Sequence, residues 1–274
     1  MIGLLRADFR KLVHRWMPRI LILILLALTA LIFFAVSHRV RFRPDLVPPD
    51  GLVAALSLAG GFAPFIWPIL AGSWAGGEYS WGTIRVSLTR LPGRIAFTLS
   101  GLIMVLLTIG FTLLLMLGVG AGMGAIIGAV TNTSAFSSPF GVSASTVIIK
   151  MFFATWFVSA FYAVLAYTAA VALRSVPAGV GIGIGFSVAQ SAMLAIFTAL
   201  GDPWKTIAQH FPDGYGESLT SRIAGELIVT GRGPFSGSAS SGSSITEAII
   251  GLAVYIAILL AVMLAVVKTR DVTV

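Results

Sequence analysis

One carboxylate and three guanidinium groups share the nineteen residues 76–94, GGEYSWGTIRVSLTRLPGR: Glu78, Arg85, Arg90 and Arg94. Groups of this kind make charge-assisted hydrogen bonds to a protein partner or a polar ligand. Tyr79, Trp81, Ile84 and Leu88 stand among them, and a plain tether needs no such apolar content. On either side lie long apolar stretches that no soluble domain would tolerate. Polar residues this dense between two such stretches must lie in water or against another protein. The segment therefore reads as a handle that something outside a membrane can grip. The competing reading is a solvated loop whose arginines only enforce topology.

Bond-breaking chemistry is hard to find elsewhere. There is no G-x-x-x-x-G-K-[ST] phosphate loop. Gly179, Gly181, Gly183 and Gly185 imitate a dinucleotide fingerprint, but they open an apolar run, where small residues serve close helix packing. The histidines His14, His38 and His210 are scattered and fall outside the apolar runs, so Ser187 after Gly185-Phe186 has no base to activate it. No spacing of His, Asp or Glu suits a metal, and no nucleic-acid partner is expected. The apolar runs hold no interior Asp or Glu of the kind that loads and releases a coupling ion. Lys150 stands at a rim, from which it can snorkel to the surface. Gln190 and Asn132 are neutral and suit a substrate contact or a bond to a neighbouring helix. The chain is expected not to be an enzyme, and energy for uphill transport would have to enter from a partner.

The elements that position these groups follow from composition. The 274 residues are 57% hydrophobic and 10% charged, and contain no cysteine. With a mean hydropathy of +0.98 this is the profile of an all-α polytopic membrane protein. Six stretches reach the roughly 20 apolar residues that a crossing requires: about 19–37, 52–75, 95–127, 147–173, 177–200 and 247–267. The whole chain, 1–274, reads as one transmembrane domain. The first stretch is long for a signal-peptide core and is expected to be a retained span. The third, with Gly118, Gly120, Gly122 and Gly124 at its end, is expected to tilt or break there. With the N-terminus inside, one side of the membrane carries eleven of the 18 Lys and Arg, and the other six. Both termini and residues 76–94 are then cytoplasmic. Arg39, Arg41 and Arg43 in the first external loop run against that rule.

Residues 2–17 have the pattern of an amphipathic helix at the membrane interface. Phe9 and Trp16 belong to its apolar face, and Arg10, Lys11 and Arg15 to a basic face suited to anionic headgroups; Pro18 is expected to break it. Gly76 and Gly77 are expected to loosen the end of the second span. The residues that follow suffice for about three helical turns, with the acid early and the arginines late, as the helix dipole favours. Residues 201–246 form an external region, with turns at Pro203 and Pro212 and a short helix over 218–229. They are expected to be either a lid-like, re-entrant piece or an ordinary loop.

The order G-E-Y-x-x-G-T-x-R-x-x-L-x-R-x-x-x-R after the second span, with a basic amphipathic start and six spans, resembles ABC-2 type transporter permeases. The residues that carry the resemblance are Gly77, Glu78, Tyr79, Gly82, Thr83, Arg85, Leu88, Arg90 and Arg94. It implies a permease without its own cofactor, driven by a separate cytosolic ABC ATPase that binds ATP and Mg. It also implies a second permease copy, identical or related, in a bacterial plasma membrane, and most often export. An amphipathic or lipid-like substrate is the expectation for so apolar a pathway. Residues 76–94 would be the coupling helix that docks on the ATPase, with Trp81 and its neighbours filling a groove. The N-terminal helix would be the interfacial connecting helix, in contact with membrane lipids. The alternatives are a passive channel or carrier regulated through 76–94, and a non-transporting scaffold or sensor subunit.

Overall fold

The computed structural model describes residues 2–39, 46–80, 93–131, 142–227 and 243–269. These are helical almost throughout: α1 (Ile2–His14), α2 (Trp16–Ser37), α3 (Asp50–Ser80), α4 (Arg94–Thr131), α5 (Val142–Leu173), α6 (Val176–Leu200), α7 (Trp204–Ala208), α8 (Pro212–Leu227) and α9 (Ile245–Thr269). Helices α2, α3, α4, α5, α6 and α9 are long and apolar enough to cross a membrane, the character of an integral membrane protein. A helix keeps most of its backbone hydrogen bonds within the segment, which suits a lipid surround.

Helices α3 and α5 form the centre, with α2, α4, α6, α8 and α9 around them. Trp67, Leu70 and Trp74 of α3 are buried with Phe161, Tyr162 and Tyr167 of α5. The outer helices turn Leu23, Phe34, Ile196 and Ile258 outward, which suits lipid rather than water.

Helices α3 and α6 run antiparallel through small residues. A methyl group at Gly76 would meet the Val176 backbone nitrogen at 2.5 Å, and one at Gly72 the Val180 nitrogen at 2.8 Å. A methyl at Gly183 would meet the Pro68 ring at 2.6 Å, and one at Gly179 the Ala170 side chain on α5 at 2.5 Å. Two of the four alternating glycines thus serve packing, as their setting predicted. Gly181 and Gly185 face open space.

Pro64 and Pro68 interrupt the α3 ladder, since each lacks an N–H and leaves the carbonyl four residues back without its helical donor. The Ser187 hydroxyl on α6 lies 3.3 Å from the Pro64 carbonyl and 2.9 Å from its own Gly183 carbonyl, so it partly supplies the missing donor.

Four sequence expectations need correction. The first helix ends at His14 and the chain breaks at Arg15, whose ψ is 129°, so Trp16 and Pro18 belong to α2. Proline is tolerated there because the N–H groups of a first turn have no intrahelical acceptor. Gly76 and Gly77 do not loosen α3, which runs on to Ser80, because Gly76 is the contact that seats it against the α5–α6 turn. Of the two outcomes expected for the third span, tilt or break, the break does not occur: α4 is continuous to Thr131. Its Gly120 faces the Ala55 side chain and its Gly124 faces Leu46 and Pro48, so these glycines serve close approach rather than bending.

The fourth correction concerns 201–246. Its described part, 201–227 and 243–246, is no ordinary loop, because α8 packs on α5 and α9 and buries Tyr215, Leu219, Ile223 and Ala224. The helix expected to start at 218 starts at Pro212. A reciprocal capping box then opens α9. The Ser244 backbone N–H donates to Glu247 Oε2 at 2.8 Å, and the Glu247 N–H to Ser244 Oγ at 3.3 Å.

Candidate functional site

Trp81, Gly82, Thr83, Arg85, Leu88 and Arg90 lie outside the described residues. The structure does describe the two stems that carry them, the end of α3 and the start of α4, and helix α1 joins the two. At about 100° per residue, Asp8, Lys11, Leu12 and Arg15 share one side of the N-terminal segment, and this side faces the bundle. Arg15 donates to Glu78 Oε1 on α3 at 2.8 Å, and Lys11 Nζ lies 3.5 Å from the same oxygen. On the other stem, Ser100 Oγ of α4 donates to Asp8 Oδ2 at 2.8 Å, while Lys11 Nζ sits 3.6 Å from Asp8 Oδ1. Lys11 therefore stands between the two carboxylates.

Burial makes this node consequential. Glu78 is 6% exposed and Asp8 4%. A carboxylate so enclosed stays charged only when paired and hydrogen-bonded. Aromatic faces complete the enclosure. The Arg15 guanidinium lies 4.8 Å from the centre of the Trp74 ring, and Lys11 Nζ 5.6 Å from that of Phe97. Behind them Tyr167 donates to the Thr98 carbonyl at 2.9 Å, fixing α5 to the first turns of α4.

The predicted interfacial residues divide accordingly. Phe9 and Trp16 are exposed, and so is Arg10. Lys11 and Arg15, expected among the outward cations, turn inward to the carboxylates. Glu78, expected to face a partner, is buried in this chain and held by its own N-terminal helix. Tyr79 is half-buried and Arg94 exposed at the start of α4. Sequence reasoning missed Asp8 and Ser100. The available signal was a lone acid on a basic helix, three residues before Lys11.

No protein-family model matches this chain, and neither does any curated protein. The family resemblance therefore rests on the loop motif and on the layout of the spans.

A second arrangement lies in the other half of the bundle, with Gly60 roughly 27 Å from Glu78 along α3 at 1.5 Å per residue. Here a cavity of about 370 Å³ opens between α3, α5, α6 and α8. Asp213 Oδ1 accepts from the Tyr162 hydroxyl at 2.9 Å, and Oδ2 from Ser191 at 3.3 Å. Glu217, one turn along α8, stands at the rim. It is exposed, yet the protein around it raises its carboxyl above the usual range, and the neighbouring Asp213 raises it further. None of the described residues lining the cavity is Lys, Arg or His. The sequence signal for this pair was an acid four residues before another, directly after Pro212.

Proposed function

We propose that this chain is the membrane-spanning permease subunit of an ATP-driven ABC-2 type transporter, powered by a separate cytosolic ATPase and exporting an amphipathic or lipid-like substrate. The observation that carries the reading is the node at the base of residues 81–92. The α1 segment is bonded to both stems of that stretch, to Glu78 on one and Ser100 on the other. A displacement imposed on 81–92 by a partner would reach α1, α3 and α4 together. Helix α3 would pass it into the centre of the bundle, where it packs on α5 and α6.

In this reading 76–94 is the coupling segment and the N-terminal helix lies at the cytoplasmic interface, with Phe9 and Trp16 toward lipid. Trp81, Tyr79 and Leu88 fill the groove of the ATPase, and Arg85, Arg90 and Arg94 make the charged rim. Apolar anchors inside such a rim are how interfaces concentrate their energy. ATP-driven closure of the ATPase pair then shifts two permease copies between inward and outward states.

The absence of cysteine gives a direct test, because single-cysteine variants need no background removal. Trp81→Cys and Leu88→Cys should each crosslink to a cytosolic ATPase in native membranes, while Glu217→Cys should not. Absence of any ATPase adduct at 81 and 88, with the chain correctly inserted, would rule the reading out.

A further inference from the structure

The cavity in the other half of the bundle is built unlike the node. Its size falls within the range of small-molecule sites, about 300–1,000 Å³. Glycines at 60, 61 and 216 keep its walls open, and the rings of Phe65 and Tyr162 give it apolar surface. Structural duties account for Asp213 in part. It lies in the first turn of α8, where an acid complements the helix dipole, and it accepts from Tyr162 and Ser191. They do not account for Glu217, which faces the same space one turn away, beside another carboxylate and without a cation among the described lining residues.

An independent observation marks the same level of the bundle. The contacts of Gly183 with Pro68 and of Ser187 with Pro64 set the antiparallel register of α6 on α3. Continued by one turn, that register brings Gln190 opposite Gly60 and Gly61, the part of α3 that lines the cavity. Gln190 is 4% exposed, and both its amide atoms lack a hydrogen-bond partner among the described residues. A methyl group at Gly60 would meet the Thr155 side chain at 3.8 Å, and the buried Thr155 hydroxyl is also unpartnered among the described residues. The Gly60 carbonyl has lost its helical donor to Pro64. Buried polar groups are almost always satisfied, and these exceptions lie in the wall behind Gly60 and Gly61 rather than on the lining of the cavity.

We infer that this cavity binds an organic amine in its protonated form, with the ammonium group between Asp213 and Glu217 and an apolar body against Phe65 and Tyr162. Two carboxylates without a lining cation select positive charge, while the rings and glycines select a flat or branched apolar body over a hydrated metal ion. The inference concerns binding alone. It goes beyond the permease reading and does not depend on a partner at the α1 end.

The test uses the full chain in lipid nanodiscs without any ATPase. The probes are 1-naphthylmethylamine and its neutral N-acetyl derivative, measured by equilibrium dialysis at neutral pH. The amine should bind at least about tenfold more tightly than the acetamide. That preference should be lost in Glu217→Gln and in Gly61→Leu. A Cβ at position 61 meets nothing within 4 Å, so the leucine fills the cavity without a backbone clash. Glu247→Gln, in the capping box outside the cavity, should bind like the parent. Equal affinity for the two probes would overturn the inference. So would an undiminished amine preference in either Glu217→Gln or Gly61→Leu, each first shown to be monodisperse and to unfold cooperatively.

Discussion

The two halves of the bundle handle their acids in opposite ways. At the α1 end, Glu78 and Asp8 are enclosed by Arg15, Lys11 and Ser100, all from the same chain. In the other half, Asp213 and Glu217 stand beside a cavity that no described cation lines. A carboxylate held by its own chain fixes helices to one another. One left facing a cavity is open to a ligand. The first half is thus suited to transmitting force and the second to recognition, and long central helices connect them.

Stability measurements separate the two halves most sharply. Glu78→Ala should cost the most, on the order of 3 kcal/mol, because it leaves Arg15 partly buried beside Trp74 without its counter-charge. Thermal and denaturant unfolding in detergent would measure it, and a double variant with Arg15→Gln should recover part of the loss. Glu217→Gln should lie within about 0.5 kcal/mol of the parent. Equal costs at the two positions would erase the contrast.

A second pair of substitutions probes the packing in the two halves. Gly76→Ala places a methyl group 2.5 Å from the Val176 backbone and should cost about 1–3 kcal/mol by overpacking. Gly61→Ala meets nothing and should be neutral or stabilising by up to about 1 kcal/mol through helix propensity. Ser100→Ala should have a smaller effect than Gly76→Ala, about 1 kcal/mol, since Asp8 keeps Lys11 nearby.

The smallest effect is a pH dependence. The Glu217 carboxyl is raised in the folded chain, so the protonated form is favoured there. Its destabilising contribution is absent below the ordinary glutamate range, sets in as pH rises through it, and is complete above the raised value. Glu217→Gln should therefore gain stability relative to the parent at neutral pH and not in acid. An unfolding-temperature series across that range would check the sign.

The class and number of the apolar helices were legible because about 20 consecutive apolar residues have few alternative fates. The basic N-terminal helix was legible too, from periodicity, but its inward face was not. Lys11 and Arg15 look like any surface cations until a carboxylate 63 residues beyond Arg15 is brought to them. The same holds for Asp213, whose partners Tyr162 and Ser191 are 51 and 22 residues away in sequence. Some glycines misled in one direction. Gly76 and Gly124 look like points of weakness in one dimension, yet each is a site of close backbone approach in three. Helix α8 was under-read because its Gly, Ser and Asp content lowers helix propensity, and burial of Tyr215, Leu219 and Ile223 overrides that local preference.

The most direct measurement is a mild-detergent purification of the tagged chain from its native host, with mass spectrometry and an ATPase assay on the eluate. A cytosolic ATPase in stoichiometric amount, lost together with the activity in a Trp81→Ala, Arg85→Ala variant, is the result expected of a permease gripped at 76–94. A chain that purifies alone, with no ATPase activity, would contradict it.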